Sequence, residues 1–238
     1  SQEKPDGHFP TTNSPNPEDP KALTLAVEMM KEIHADIALA SDPDTDRLGV
    51  AFKNKLGEIS FLSGNEIGIL LLEYILSHAK NVSHPLVLKT IVTSDLQTKI
   101  CQNYNVTIKE TLTGFKWMGK FMADLEAQKI PFTYLFGNEE SYGYLPHHFS
   151  RDKDGVSAAL LMMECALDLK MKNQTLDEKL DEIYEKYGYF AEEQLNFYFK
   201  GLDGNLFIEK IMNHLRTLSR SWREYTINKK EDYLLMYY

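Results

Sequence analysis

The chain has 238 residues, with 35 acidic against 26 basic side chains and a formal net charge of −9. That balance offers no basic footprint for nucleic acid and no cationic amphipathic stretch for an anionic membrane; with 43% hydrophobic and 26% charged residues the composition is globular rather than disordered. The longest apolar run, Ile67 to Leu72, falls far short of the ~18 residues a membrane-spanning helix needs, and Cys101 and Cys165, both in apolar helix-like context, read as buried reduced thiols suited to the cytoplasm.

Residues 1–20 hold five of the nine prolines and read as extended chain. A helix is predicted to start at Asp19 as N-cap with Pro20 in its first turn, because Leu23, Ala26, Val27 and Met30 recur at helical spacing. Buried strands follow at 37–40 and 48–52, the latter paired with 59–62 across the turn Asn54–Gly57. The pattern then alternates: helix 65–79, strand 86–92, helix 95–103, strand 106–109, helix 116–128, strand 132–136 and helix 155–170. This alternation predicts an α/β fold with mainly parallel or mixed sheets flanked by helices. Ligands of such sheets bind in the loops beyond the strand carboxyl ends. Beyond Lys170 a charged helical stretch covers 171–187, followed by a strand over 192–200 and a helix over 206–218.

The loop Ser41-Asp42-Pro43-Asp44-Thr45-Asp46-Arg47 places three alternating carboxylates directly after a strand. Like charges this close raise one another's pKa, and a divalent cation removes that cost. Oxygen-only donors suit a hard ion, Mg²⁺ first and Mn²⁺ as the alternative. Arg47 then offers a fork for a phosphate oxygen beside the metal. An EF-hand is excluded, since Arg47 stands where its glycine and Lys53 where its glutamate would be. Two other readings stay open at this point: a solvated acidic turn, and an aspartyl-phosphate phosphatase loop with Asp42 as nucleophile.

Three further segments carry candidate binding groups. Gly137-Asn138-Glu139-Glu140-Ser141-Tyr142-Gly143 follows an apolar strand, and Glu139 and Ser141 can accept from and donate to adjacent hydroxyls. Thr113-Gly114-Phe115-Lys116 is a glycine turn with a lysine, able to bind phosphate or to cap a helix. Arg151-Asp152-Lys153-Asp154-Gly155 reads as a charged helix start with Asp154 as cap. His147 and His148 lie just past the second segment and stay open as ligand contacts.

Taken together, these strings resemble the α-D-phosphohexomutase superfamily of phosphoglucomutases and phosphomannomutases. Asp42-Pro43-Asp44-Thr45-Asp46-Arg47 is similar to its D-x-D-x-D-R metal loop, 137–143 to its G-x-E-x-S-x-G sugar loop and 151–155 to its R-x-K-D-G string. The wording of 111–119, T-L-T-G-F-K-W-M-G, is closest to the branch of phosphopentomutase-type and glucose-1,6-bisphosphate-forming members. The resemblance implies repeated α/β domains: 1–62 as the tail of a metal-binding domain 2, 63–172 as a sugar-binding domain 3, and 173–238 as a linker and the start of a phosphate-binding domain 4. It implies Asp42, Asp44 and Asp46 as Mg²⁺ ligands, Arg47 as a supporting phosphate partner, and Glu139, Ser141, Gly114, Phe115, Lys116 and Lys153 as substrate contacts. It also implies a reaction moving phosphate between C1 and C6 (or C5) of a sugar phosphate, through an enzyme phosphoserine and a sugar 1,6-bisphosphate that doubles as activator. The T-A-S-H-N-P phosphoserine loop of that family does not occur in these residues, and Ser14 sits in a different string. The chain is therefore expected to be an internal piece of a longer protein, inactive by itself. A non-catalytic phosphosugar- or metal-binding module is the competing expectation. Which sugar is used, and the oligomeric state, are not readable.

Overall fold

The structure is a computed structural model that describes every residue except 1, 3, 5, 13, 193–198, 200, 219–220, 223–224, 228–230 and 232–238. It contains two compact units, Ser1–Ala191 and Glu192–Tyr238.

In the first unit, Asp19 caps the turn as expected, its carboxylate accepting from the Lys21 amide at 3.0 Å. The element that opens there is a 3₁₀ turn, Pro20–Leu23, before α1 takes over at Thr24–Glu32. Strands β1 (Ile37–Ser41), β2 (Leu48–Lys53) and β3 (Ile59–Phe61) form an antiparallel sheet in the order β1-β2-β3. β1 is half-buried, not buried as expected, because it lies at the sheet edge while β2 occupies the centre.

Helix α2 (Gly64–His78) opens with a capping box, Ser63 Oγ accepting from the Glu66 amide at 3.3 Å and the Glu66 carboxylate from the Ser63 amide at 2.7 Å. It is apolar nearly all round and is buried accordingly, at Ile67 and Ile69 to Leu72. Then come β4 (Pro85–Thr90), α3 (Leu96–Asn103), β5 (Thr107–Thr111), α4 (Phe115–Ala127), β6 (Thr133–Asn138), the two-residue β7 (Tyr144–Leu145) and α5 (Gly155–Met171). Their sheet has the order β5-β4-β6-β7, with β5, β4 and β6 parallel and β7 antiparallel. A register shift opposite Leu86 and Val87 puts Tyr134 and Phe136 on opposite faces. One face packs under α4 through Leu86, Leu88, Phe115, Met118 and Met122. The other packs under α2 and α3 through Val87, Leu96, Ile100 and Phe136.

Residues 171–187, expected within a linker, behave differently. Helix α6 (Leu176–Tyr187) buries Leu176, Leu180 and Ile183 in the same core as α2 and α5. The stripe that docks is the one the sequence shows at helical spacing, Leu176, Leu180 and Ile183, with the charged residues on the other side of the helix. Burying each such side chain contributes about 1.5–3 kcal/mol.

The second unit holds α7 (Gly201–Thr217) and two two-residue strands, β8 (Ser221–Trp222) and β9 (Tyr225–Thr226), paired antiparallel. The strand expected over 192–200 lies outside the described residues apart from 192 and 199.

Candidate functional site

The acidic loop forms at the carboxyl end of β1 and turns back into β2. The Asp42 carboxylate shapes it, its Oδ1 accepting from the Asp46 and Arg47 amides, both at 3.1 Å. The Asp42 carbonyl accepts from the Thr45 amide at 3.1 Å, and Thr45 sits at φ +61°, a region a β-branched residue rarely adopts. The result converges the charges: Asp42, Asp44 and Asp46 each offer a carboxylate oxygen within 4.8 Å of the others. Asp46 Oδ1 is buried without a hydrogen-bond partner. Burial, together with the charges of Asp46 and Asp44, raises the Asp42 pKa against the opposing pull of the Arg47 amide.

Arg47 is gripped from two sides. Its Nη1 donates to Glu18 Oε1 at 2.9 Å, while its Nε lies 3.6 Å from Asp42 Oδ2 and 3.9 Å from Asp46 Oδ1. Glu18 was not singled out from the sequence; it is 29 residues away, in the proline-rich lead-in, and only the fold brings it here.

The turn 139–143 sits against this loop. Arg47 and Gly143 form an antiparallel bridge, and the Leu48 amide donates to the Tyr142 carbonyl at 3.0 Å. Glu139 is buried, its Oε1 accepting from the Gly114 amide at 2.7 Å. This contact uses Gly114 at φ +108°, a glycine conformation, as the N-cap of α4. Ser141 is half-buried in the same turn. Glu140, also not singled out, accepts from Thr90 Oγ1 at 3.1 Å, and burial raises its pKa above the ordinary 4.5.

Lys153 closes the circuit. Its Nζ lies 3.3 Å from Asp46 Oδ2 and 3.6 Å from Glu139 Oε2, and 5.9 Å from the centre of the buried Phe115 ring. Burial works against its charge, but Glu139 and Asp46 outweigh it and hold its pKa above the ordinary lysine value. Asp154 caps α5 as expected, accepting from the Val156 and Ser157 amides at 3.0 and 3.3 Å. Gly155 is required there, because a Cβ would stand 2.7 Å from the Arg47 carbonyl and 2.8 Å from the Thr45 carbonyl.

The structure thus brings Asp42, Asp44, Asp46, Arg47, Glu139, Gly114, Phe115 and Lys153 into one connected cluster. Lys116 is placed otherwise: it is exposed, with its Nζ 5.5 Å from the ring of Trp117. His147 pairs with Asp154 at 3.0 Å and stacks on Phe149. Cys101 and Cys165 are buried, and burial pushes both thiols up to about 12, so they are poor nucleophiles.

The fold and cluster define an α/β protein in which a loop of three converging carboxylates adjoins a turn carrying the buried Glu139, with Lys153 between them. Comparison with known proteins gives the same class. The phosphoglucomutase/phosphomannomutase α/β/α domain III model matches residues 63–187 and the domain II model residues 1–57. The chain belongs to the phosphoglucomutase/phosphomannomutase family, within the α-D-phosphohexomutase superfamily. It is 38% identical over 217 residues to a phosphoglucomutase of Staphylococcus aureus strain MRSA252, covering 91% of this chain and 39% of that protein. The match to the phosphoglucomutase of strain USA300 is 37% over the same share of both chains. The chain therefore spans about two fifths of the length of the curated relatives it matches. Two solved structures share the fold. The open form of Paramecium pp63/parafusin, a phosphoglucomutase, matches with TM-score 0.55 and 22% identity over 84% of this chain and 34% of that one. A phosphoglucomutase/phosphomannomutase family protein from Burkholderia thailandensis matches with TM-score 0.50 and 22% identity, over 67% and 32%. No helix among the described residues is long and apolar enough to cross a membrane.

Proposed function

We propose that this chain carries the metal and sugar loops of a Mg²⁺-dependent phosphosugar mutase, of the phosphoglucomutase/phosphomannomutase type. The observation that supports this most directly is Lys153, within 3.6 Å of both the acidic loop and Glu139. One ligand can then be held at its phosphate and at its hydroxyls simultaneously.

The donor set fits a hard divalent ion: three carboxylates, oxygens within 4.8 Å of one another, and a buried oxygen of Asp46 with no hydrogen-bond partner. Asp42, Asp44 and Asp46 would hold Mg²⁺, which supplies charge compensation for a phosphoryl group in transfer. The Arg47 guanidinium, already oriented by Glu18, presents remaining N–H groups to a phosphate oxygen. The Glu139 carboxylate, fixed by the Gly114 amide, accepts from a sugar hydroxyl, and Ser141 donates to its neighbour. Lys153 adds positive charge between the two. Such chemistry depends mostly on positioning and electrostatics.

In this reading residues 1–62 carry the metal loop, 63–172 the sugar loop with α6 packed onto it, and residues beyond 191 open a phosphate-binding domain. The phosphoserine that relays the group through a sugar bisphosphate lies in another part of the protein, and the site works in the cytoplasm. The test is an activity screen of the full-length gene product with glucose, mannose, glucosamine and pentose 1-phosphates and Mg²⁺. Turnover of at least one, and none by residues 1–238 alone, is expected. Activity of the isolated 238 residues, or none of the full-length protein on any sugar phosphate, overturns the reading.

A further inference from the structure

Lys89 is the only buried lysine among the described residues, with no exposed surface, in the middle of the sheet. A strand position covered by helices is normally apolar, and a buried ammonium is costly unless fully paired. Here the ammonium meets three oxygens, each at 2.9 Å: it donates to the Thr93 carbonyl and to Asp95 Oδ1 and is ion-paired with Glu110 Oε1. The pairing is complete, and what it joins is informative.

Thr93 and Asp95 belong to the turn after β4. Glu110 lies in β5, in register with Lys89 and four residues before Gly114. The same turn reaches β5 again through the Ile91 amide, which donates to the Thr111 carbonyl at 2.9 Å. On the other side Lys89 is in register with Asn138 of β6, directly before Glu139. There the link is made by hydroxyls: Thr90 Oγ1 donates to Glu140 at 3.1 Å and accepts from Thr93 Oγ1 at 2.7 Å, and the Asn138 carbonyl lies 3.5 Å from Thr93 Oγ1. All three parallel strands thus end in turns tied to one buried side chain and its two threonine neighbours. Two of those turns supply Gly114 and Glu139, which bond to each other.

We propose that Lys89 is a positioning residue: it locks the three carboxyl-end turns of the sheet together so that Glu139 is presented to the sugar. The inference rests on reading 139–143 as the sugar-binding turn. Lys89 touches no part of the acidic loop, so its influence should reach the sugar contacts and leave metal binding unchanged. A merely structural lysine would weaken everything together.

Lys89→Met separates these cases. It keeps an unbranched side chain one atom shorter, without the charge, and leaves Asp95 and Glu110, 71% and 48% exposed, able to hydrate. In the 238-residue chain, amide hydrogen exchange should become at least tenfold faster in 91–95, 111–114 and 138–143, with α2 amides at Leu70 to Leu72 still protected. In the full-length enzyme, kcat per folded molecule should fall about tenfold or more, while the Mg²⁺ concentration for half-maximal activity stays within about twofold. Exchange confined to 91–95, uniform loss including α2, no loss, or unchanged kcat overturns the proposal. Thr90→Val, which removes one hydroxyl at constant shape, serves if Lys89→Met does not fold: faster exchange at 138–143 with a lowered kcat supports it, and neither change overturns it. Because the exchange measurement needs no turnover, it decides the turn-locking claim even if the full-length wild type proves not to be a mutase.

Discussion

The two loops of the site are built on opposite plans. The turn 139–143 is secured by part-buried hydrogen bonds to its side chains, the Gly114 amide donating to Glu139 at 2.7 Å and Thr90 Oγ1 to Glu140 at 3.1 Å. The acidic loop is shaped by backbone amides donating to Asp42 at 3.1 Å and by looser ion pairs of 3.3–3.9 Å from Arg47 and Lys153, around a threonine at positive φ, and the buried Asp46 Oδ1 accepts no hydrogen bond. One region is finished by the fold; the other keeps charge that a cation would satisfy. Under the proposed function, a group that holds sugar hydroxyls in a fixed direction would gain from rigidity, and a metal loop would gain from donors that other partners do not saturate.

The contrast can be broken most forcefully at two glycines. A Cβ on Gly64 would stand 1.9 Å from the Glu140 carbonyl, so Gly64→Ala should displace the sugar turn and destabilise the chain by about 3 kcal/mol in urea unfolding. Gly155→Ala presses instead on the carbonyls of Thr45 and Arg47 and should cost about 2 kcal/mol, less because the acidic loop is less tightly held. Equal losses would mean that the two loops do not differ in rigidity.

A smaller effect sharpens the same comparison. Asp44→Asn should lower Mg²⁺ affinity at least tenfold, about 1.4 kcal/mol, in calorimetric titration, while leaving metal-free stability unchanged or higher by about 0.5 kcal/mol, since a crowded like charge is removed. A clear loss of metal-free stability would show that Asp44 is a structural residue.

Glu140 provides a pH test. Burial raises its pKa, so the folded state favours the protonated form. Its favourable contribution is complete below its ordinary value of 4.5 and is lost as pH rises through the raised value. Glu140→Gln never ionises and still accepts from Thr90. The stability difference between variant and wild type should therefore move in the variant's favour between pH 4.5 and 7 in urea unfolding; the opposite trend would mean the carboxylate form is the one the fold prefers. The smallest effect belongs to Glu18→Gln: the ion pair with Arg47 is about one third exposed, so less than about 1 kcal/mol of stability should be lost.

What could be read in advance follows the range of the forces involved. The acidic loop is local: three carboxylates at alternate positions announce themselves in a run of five residues. The helix starts at Asp19 and Asp154 are local too, since a cap bonds amides two or three residues away. Glu18 and Lys89 were silent because their partners are distant in sequence or look like ordinary surface acids. The apolar stripe of α6, Leu176, Leu180 and Ile183, was legible, but not the core it joins, and the register shift that turns Tyr134 and Phe136 to opposite faces has no sequence mark. Lys116 shows the reverse limit: a glycine turn identifies the neighbourhood, but not which side chain faces inward.

The backbone bridge between Arg47 and Gly143 has a mechanical corollary. Because peptide groups, not side chains, join the strand that begins at the acidic loop to the turn that carries Glu139, the two form a single jaw with a fixed gape. The spacing between the acidic loop and Glu139 is thus set by main chain, so a change in that spacing would have to break this bridge.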